Sequence, residues 1–129
     1  MLLDTHVLVW AMLVPAQLSR PAREALAGAP ERSVSAASLY EIAYKAGTGK
    51  WPEVAGLLSI DLDARLRGDG FEVIPATGRI MERAGRLDWA HRDPFDRLIV
   101  ATAQERGLTL VSKDASLDAA PGGGVTRIW

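Results

Sequence analysis

An α/β fold, one parallel sheet covered by helices on both faces, is the architecture this sequence predicts, and three observations predict it. Short apolar runs suited to strands alternate with segments of helical period along the chain. Helix-end chemistry recurs between them, with Ser19 and Asp93-Pro94 as starts and Gly28 and Gly107 as stops. A length of 129 residues with 48% apolar and 24% charged composition suits one domain over 1–129 with a real core and no repeat or linker.

The elements follow in order. "MLL" at the start reads as a short buried strand with Asp4 at its C-terminal end, and "THVLVWAML", apolar nearly all round, as a buried helix. Ser19 caps a second helix, "RPAREALAG", which Gly28 closes. "RSVSAAS" is the next strand, and "SLYEIAYKAG" a helix from Ser38 to Gly47, with Ser38 and Glu41 spaced as a capping box. In "EVAGLLSIDLDARLRGDG", Val54, Leu57, Leu58 and Leu62 share a helical face; "FEVIP" is then a strand ended by Pro75. "TGRIMERAGRL" is a helix with Ile80, Ala84 and Leu87 on one side and Arg79, Arg83 and Arg86 along another. Phe95, Leu98, Ile99 and Thr102 recur at helical spacing in "HRDPFDRLIVATA". "LTLVS" is a strand leading to Lys113-Asp114, "DAAPGGG" a loop and "VTRIW" the last strand.

Composition removes several classes of function. There is no cysteine, so disulfides, thiolate metal sites and a cysteine nucleophile are excluded. Two histidines, His6 and His91, argue against a histidine-rich zinc site. A net charge of -1 carries no global basic signature, so a nucleic-acid partner requires a local basic patch or a metal. The apolar N-terminus lacks a basic region and carries Asp4 and His6; it fails as a signal peptide and is too short and polar to span a bilayer. A cytoplasmic protein without membrane contact is expected. "AGTGKW" is not a phosphate-binding loop, because Tyr44 stands where its first glycine belongs and Trp51 where Ser or Thr is required.

Four acids fall where the chain of such a fold gathers its chemistry. Asp4 and Asp114 follow strands directly, while Glu41 and Asp96 sit in first turns of helices. Strand C-termini and the helix starts after them share one sheet edge, the edge at which open parallel sheets bind ligands. Each acid has a plainer role available. Asp93 is a helix cap with Pro94 behind it, Asp96 suits the helix dipole, Glu41 fits the capping box and Lys113-Asp114 fits a turn. The acids at 61, 63 and 69 read as surface and turn residues. Four carboxylates on one edge would nevertheless repel without cations between them, and an all-oxygen site suits Mg2+ or Mn2+. Such ions activate water and steady the leaving oxygen of a phosphodiester.

The same residues carry a family resemblance. "LLDTHVLVWA", "SLYEIAYKAGTGK", "HRDPFDRLIVATA" and "LVSKDASL" resemble, in order, the signature blocks of PIN-domain ribonucleases, and of VapC-type toxins among them. The resemblance runs from about residue 2 to the C-terminus. It implies a single PIN-like domain and a Mg2+- or Mn2+-dependent endoribonuclease that hydrolyses RNA with a metal-activated water. It also implies a homodimer and a cognate VapB-type antitoxin. Its acidic set carries over as Asp4, Glu41, Asp96 and Asp114, as catalytic residues and metal ligands. Asp96 takes the third place because it directly precedes the apolar run, which leaves Asp93 as the cap beside the metal.

Thr5 and Ser112 are candidates to hydrogen-bond a ligand carboxylate or a metal-held water, with ordinary strand-end hydroxyls as the alternative. His6 suits packing or the surface as well as function. Lys45, Lys50, Arg86, Arg92 and Arg97 are candidates for RNA phosphates or for a solvated face. Tryptophans 10, 51, 89 and 129 suit the core or a partner better than base stacking. The segment 51–70, with apolar residues of 8–14, offers more apolar surface than one small sheet face needs, and the resemblance implies that an amphipathic antitoxin segment covers it. A catalytically inactive PIN-like binding module is the alternative function, and an acid-clustering phosphatase or receiver-like domain a third.

Overall fold

The computed structural model describes residues 1–129. Five strands form one parallel sheet: β1 (Leu2–Leu3), β2 (Arg32–Ser35), β3 (Phe71–Ile74), β4 (Leu110–Val111) and β5 (Arg127–Ile128). Their order across the sheet is β3-β2-β1-β4-β5. The chain moves outward from β1 to β2 and β3, then returns to the other side of β1 for β4 and β5. The strand order therefore reverses between β1 and β4, and a crevice opens beyond their carboxyl ends.

Six helices cover the sheet: α1 (Thr5–Leu13), α2 (Arg20–Gly28), α3 (Ala36–Gly47), α4 (Leu62–Gly68), α5 (Gly78–Arg86) and α6 (Pro94–Arg106). Two cores lie on opposite faces. One packs α1 and α3 with Val54 and Leu66 over Leu3, Val34 and Val111. The other packs Ile80 of α5 and Ile99 and Val100 of α6 over Leu2, Ile74 and Leu110. Successive residues Leu2 and Leu3 face opposite cores, as the period of a strand requires, and both are fully buried.

Most helix ends follow their caps. Ser19 accepts from the Ala22 amide at 3.2 Å and Thr77 from Ile80 at 3.3 Å, while Gly107 closes α6 with a φ of 60° that favours glycine. Two expectations are corrected. Helix α3 starts at Ala36, because Ser35 at the end of β2 accepts from the Ala37 amide and caps it. Ser38 is thus inside the helix, fully buried, accepting a 3.0 Å hydrogen bond from the Thr5 hydroxyl, and the capping box with Glu41 does not form. Thr5 is a satisfied interior hydroxyl.

The segment 51–70 is also divided where one helical face was read. Pro52–Ser59 is a 3-10 segment, Ile60 is extended, and Asp61 opens the new helix α4 by accepting from the Ala64 amide at 2.9 Å. Val54, Leu57 and Leu66 go into the core, whereas Leu58 and Ile60 stay exposed, as do Leu13 and Val14. The glycine-rich loop after Pro121 is held by the Gln104 amide, which donates to the Pro121 carbonyl at 2.6 Å; Gly122, Gly123 and Gly124 all take positive φ. No helix is long and apolar enough to cross a membrane.

Candidate active site

The crevice beyond β1 and β4 is a cleft of about 330 Å³. Asp4, Glu41, Asp96 and Asp114 all line it, with Asp93 at its rim. His6, Lys45 and Lys113 complete its charged wall, and Trp10 is its one large apolar residue. The four acids arrive from four separate parts of the chain. Asp4 ends β1 and caps α1, accepting from the His6 amide at 3.1 Å. Glu41 comes from the second turn of α3, one turn later than the sequence suggested, since that helix begins earlier. Asp96 comes from the first turn of α6. Asp114 follows β4 and caps the 3-10 turn Ala115–Ala119 through the Ser116 amide at 2.8 Å.

Two of these acids are buried and two are more open. Asp4 and Glu41 are 6% and 4% exposed. The Ser112 hydroxyl donates to Asp4, so Ser112 does meet a cleft carboxylate; its oxygen also accepts from the Asp114 amide at 3.1 Å, tying the two acidic elements together. Lys45, one turn after Glu41, lays its ammonium against that carboxylate. Asp93 accepts from the amides of Phe95 (2.8 Å) and Asp96 (3.4 Å), the cap geometry its position before Pro94 suggested.

The electrostatics call for a cation. Burial raises the Asp4 carboxyl above its ordinary range in spite of hydrogen bonds from Ser112 and the His6 amide. Burial likewise pushes Asp96 up to about 6, the charges of Asp93 and Asp4 adding to the rise and the His91 hydrogen bond opposing it. Asp114 is lowered: its partial burial is outweighed by hydrogen bonds from Ser116 and by the charges of His91 and Arg127. Charge on Asp4 and on Asp96 thus carries a burial cost in the ion-free cleft. A divalent ion relieves that cost, and the donor set fits one.

The closest group of donor atoms was not legible as a set in the sequence. His91 Nε2, Asp96 and Asp114 offer ligand atoms within 4.8 Å of one another, whereas Asp4 and Glu41 stand outside that group in the buried part of the cleft. This nearest group thus contains one nitrogen donor beside its carboxylates. His91 Nε2 lies 2.6 Å from Asp96 Oδ2, because the chain entering α6 folds back over the first turn. The available signal was a histidine five residues before the acid and ahead of an Asp-Pro helix start.

Arginines secure both loops that carry this group. Arg97 points away from the cleft and donates to the carbonyls of Ala84, Leu87, Trp89 and His91, joining the end of α5 to the loop before α6. It is thus not among the residues free to meet RNA phosphates. Arg127 of β5 donates to the Ser112 carbonyl at 2.8 Å and pairs with Asp118 at 2.6 Å, bracing the turn that presents Asp114. His6 is exposed and packs on Trp51 at 4.7 Å between ring centres, and Trp10 packs on Trp129 at 5.6 Å, so three tryptophans serve packing around the cleft wall.

Known proteins share this fold. The PIN domain family profile matches residues 1–123. The chain is 34% identical over 117 residues to ribonuclease VapC22 of Mycobacterium tuberculosis, covering 90% of this chain and 88% of that protein. A toxin–antitoxin complex from Klebsiella pneumoniae is similar in structure, with a TM-score of 0.62 and 26% identity over 97% of this chain and 95% of that one. VapBC2 of Rickettsia felis, bound to a DNA fragment from its promoter, shares the fold at a TM-score of 0.69 and 20% identity, over 98% and 96% of the two chains.

Proposed function

Because the chain belongs to the PIN domain family, and within it to the VapC ribonucleases, we propose that it is a metal-dependent endoribonuclease and the toxin of a VapBC pair. The observation that carries this reading is the convergence of Asp4, Glu41, Asp96 and Asp114 on one cleft at the strand-order reversal. These four would hold Mg2+ or Mn2+, with Glu41 exchanging its Lys45 partner for the ion. When bound, the ion supplies the charge that activates water and neutralises the phosphate in the transition state. The chain's own residues do the rest. Ser112 fixes the Asp4 carboxylate, Asp93 fixes the start of α6, and Lys45 and Lys113 stand at the cleft wall where phosphate oxygens would lie. Purified protein incubated with RNA tests this directly. Cleavage that requires Mg2+ or Mn2+ and stops with chelator is expected, and a protein that binds RNA without cutting it would instead be the inactive module.

Metal binding is expected to stabilise the fold. An ion that binds only the folded form contributes about 2.7 kcal/mol at a concentration about 100 times its Kd. Millimolar Mn2+ should therefore raise the melting temperature by several degrees, and Asp4→Asn or Asp114→Asn should shrink the rise. An unmoved melting curve counts against the site.

The partner is expected to be an antitoxin encoded beside the gene. Leu13, Val14, Leu58 and Ile60 leave apolar surface outside the core, suited to an amphipathic helix. Co-expression with the neighbouring product and purification through a tag on one chain should recover both, with cleavage suppressed. If they separate and cleavage is unaffected, the toxin reading falls and the nuclease reading stands.

A further inference from the structure

Beside Asp96 and Asp114 of the cleft stands a nitrogen donor, His91, that the four-acid reading leaves unused. We infer that His91 is a direct nitrogen ligand of the ion, so that His91, Asp96 and Asp114 form a mixed imidazole–carboxylate position that prefers Mn2+ to Mg2+. The inference rests on the metal-dependent reading of the same cleft and assigns one more residue to it.

Three observations carry it. The donor atoms of His91, Asp96 and Asp114 lie within 4.8 Å of one another. Ligand atoms about 2.1 Å from a shared ion lie within about 4.2 Å of each other, so small side-chain movements bring all three onto one ion. The imidazole is also held in place before any ion arrives. Its ring stacks on Trp89 at 4.5 Å and 22°, and Arg97 Nη1 donates to the backbone carbonyls of both Trp89 and His91 at 3.0 Å. Finally, the nitrogen that faces the acids is Nε2, and its one hydrogen bond within the chain is to Asp96. In the ion-free site Nε2 donates its proton to that carboxylate, and an ion entering between them would take the place of this proton, leaving the ring proton on Nδ1 and the Nε2 lone pair on the metal.

The chemical consequence is selectivity. Mg2+ favours oxygen ligands, whereas an imidazole nitrogen suits the softer first-row ions. Losing His91 should therefore weaken Mn2+ more than Mg2+. A structural histidine would not discriminate between the ions.

The test uses the full chain with Mn2+ alone and Mg2+ alone. Calorimetry gives each Kd, and pulsed electron paramagnetic resonance of bound Mn2+ reports a directly coordinated nitrogen. Wild type should show the nitrogen modulation, His91→Gln should lose it, and His6→Gln should keep it. The Mn2+ Kd should rise by about 10-fold or more in His91→Gln, with a smaller rise for Mg2+. His91→Ala serves as a second variant, and thermal melts confirm that each is folded. Modulation that persists without His91, that depends on His6, or that is absent from Mn2+-bound wild type overturns the inference and leaves the nuclease reading intact. Equal losses for the two ions also overturn it. Failure of wild type to bind Mn2+ at all would remove both.

Discussion

Asp96→Asn is expected to lower metal-dependent RNA cleavage by about 100-fold or more while making the metal-free protein more stable at neutral pH. The amide keeps the shape of the side chain and can still accept from His91, but it cannot supply the charge that holds the cation. The stability change follows from the raised carboxyl of Asp96, about 6 in the fold against an ordinary 3.8. A raised acid contributes stability that is full below about pH 3.8 and lost as the pH rises through about 6. Above pH 6 the metal-free wild type therefore carries a cost that the asparagine variant lacks. That cost is about 1–3 kcal/mol, allowing for a side chain that still meets solvent. Melts in chelator at pH 7.5 should rank the variant above wild type, and the gap should close towards pH 4. Asp93→Ala should behave oppositely, keeping cleavage and losing about 0.5–2 kcal/mol with the helix cap. Equal loss of cleavage in the two variants would show that the aspartates do not divide the work between cap and metal.

Arg97→Ala is expected to be the most destabilising single change near the site. Its guanidinium donates to the carbonyls at 84, 89 and 91 and shares that of Leu87 with the Trp89 amide, holding together the loop between α5 and α6. Hydrogen bonds to a charged group contribute about 1.5–3 kcal/mol each but do not add simply. A net loss of about 3 kcal/mol and a melting temperature lower by roughly 10 °C is the expected result. Arg97→Lys should rescue little, because an ammonium cannot span the carbonyls that the planar fork reaches. Hydrogen exchange should show residues 87–92 opening first. A melting shift under about 2 °C would make the guanidinium a bystander.

Much of this architecture was readable from local chemistry. Ser19 with Gly28, and Asp93-Pro94 with Gly107, mark helices whose observed ends agree, because capping is decided within a few residues. The start of α3 was misplaced because Ser35 and Ser38 are both competent caps. The choice between them lies in the contact of Ser38 with Thr5, which no local pattern records. The 3-10 segment Pro52–Ser59 escaped for a related reason: apolar spacing over eight residues does not separate a tight helix from an α-helix. In the cleft, the acids were legible because strand ends and helix starts fix where a side chain emerges. His91 and Arg97 were not. The first acts from a loop, and the second acts through backbone carbonyls, which leave no trace in residue identity.

The parallel pairing of β1 with both β2 and β4 puts the first strand of the chain at the centre of the sheet. Asp4 and the Ser112 that orients it are 108 positions apart. During synthesis, a chain released as far as α6 already carries Asp4, Glu41 and Asp96. It still has an open edge on β1, and it has neither Ser112 nor Asp114. Contacts of such long range form late and slowly. The nascent polypeptide thus has no assembled cleft until β4 and the turn that carries Asp114 have left the ribosome.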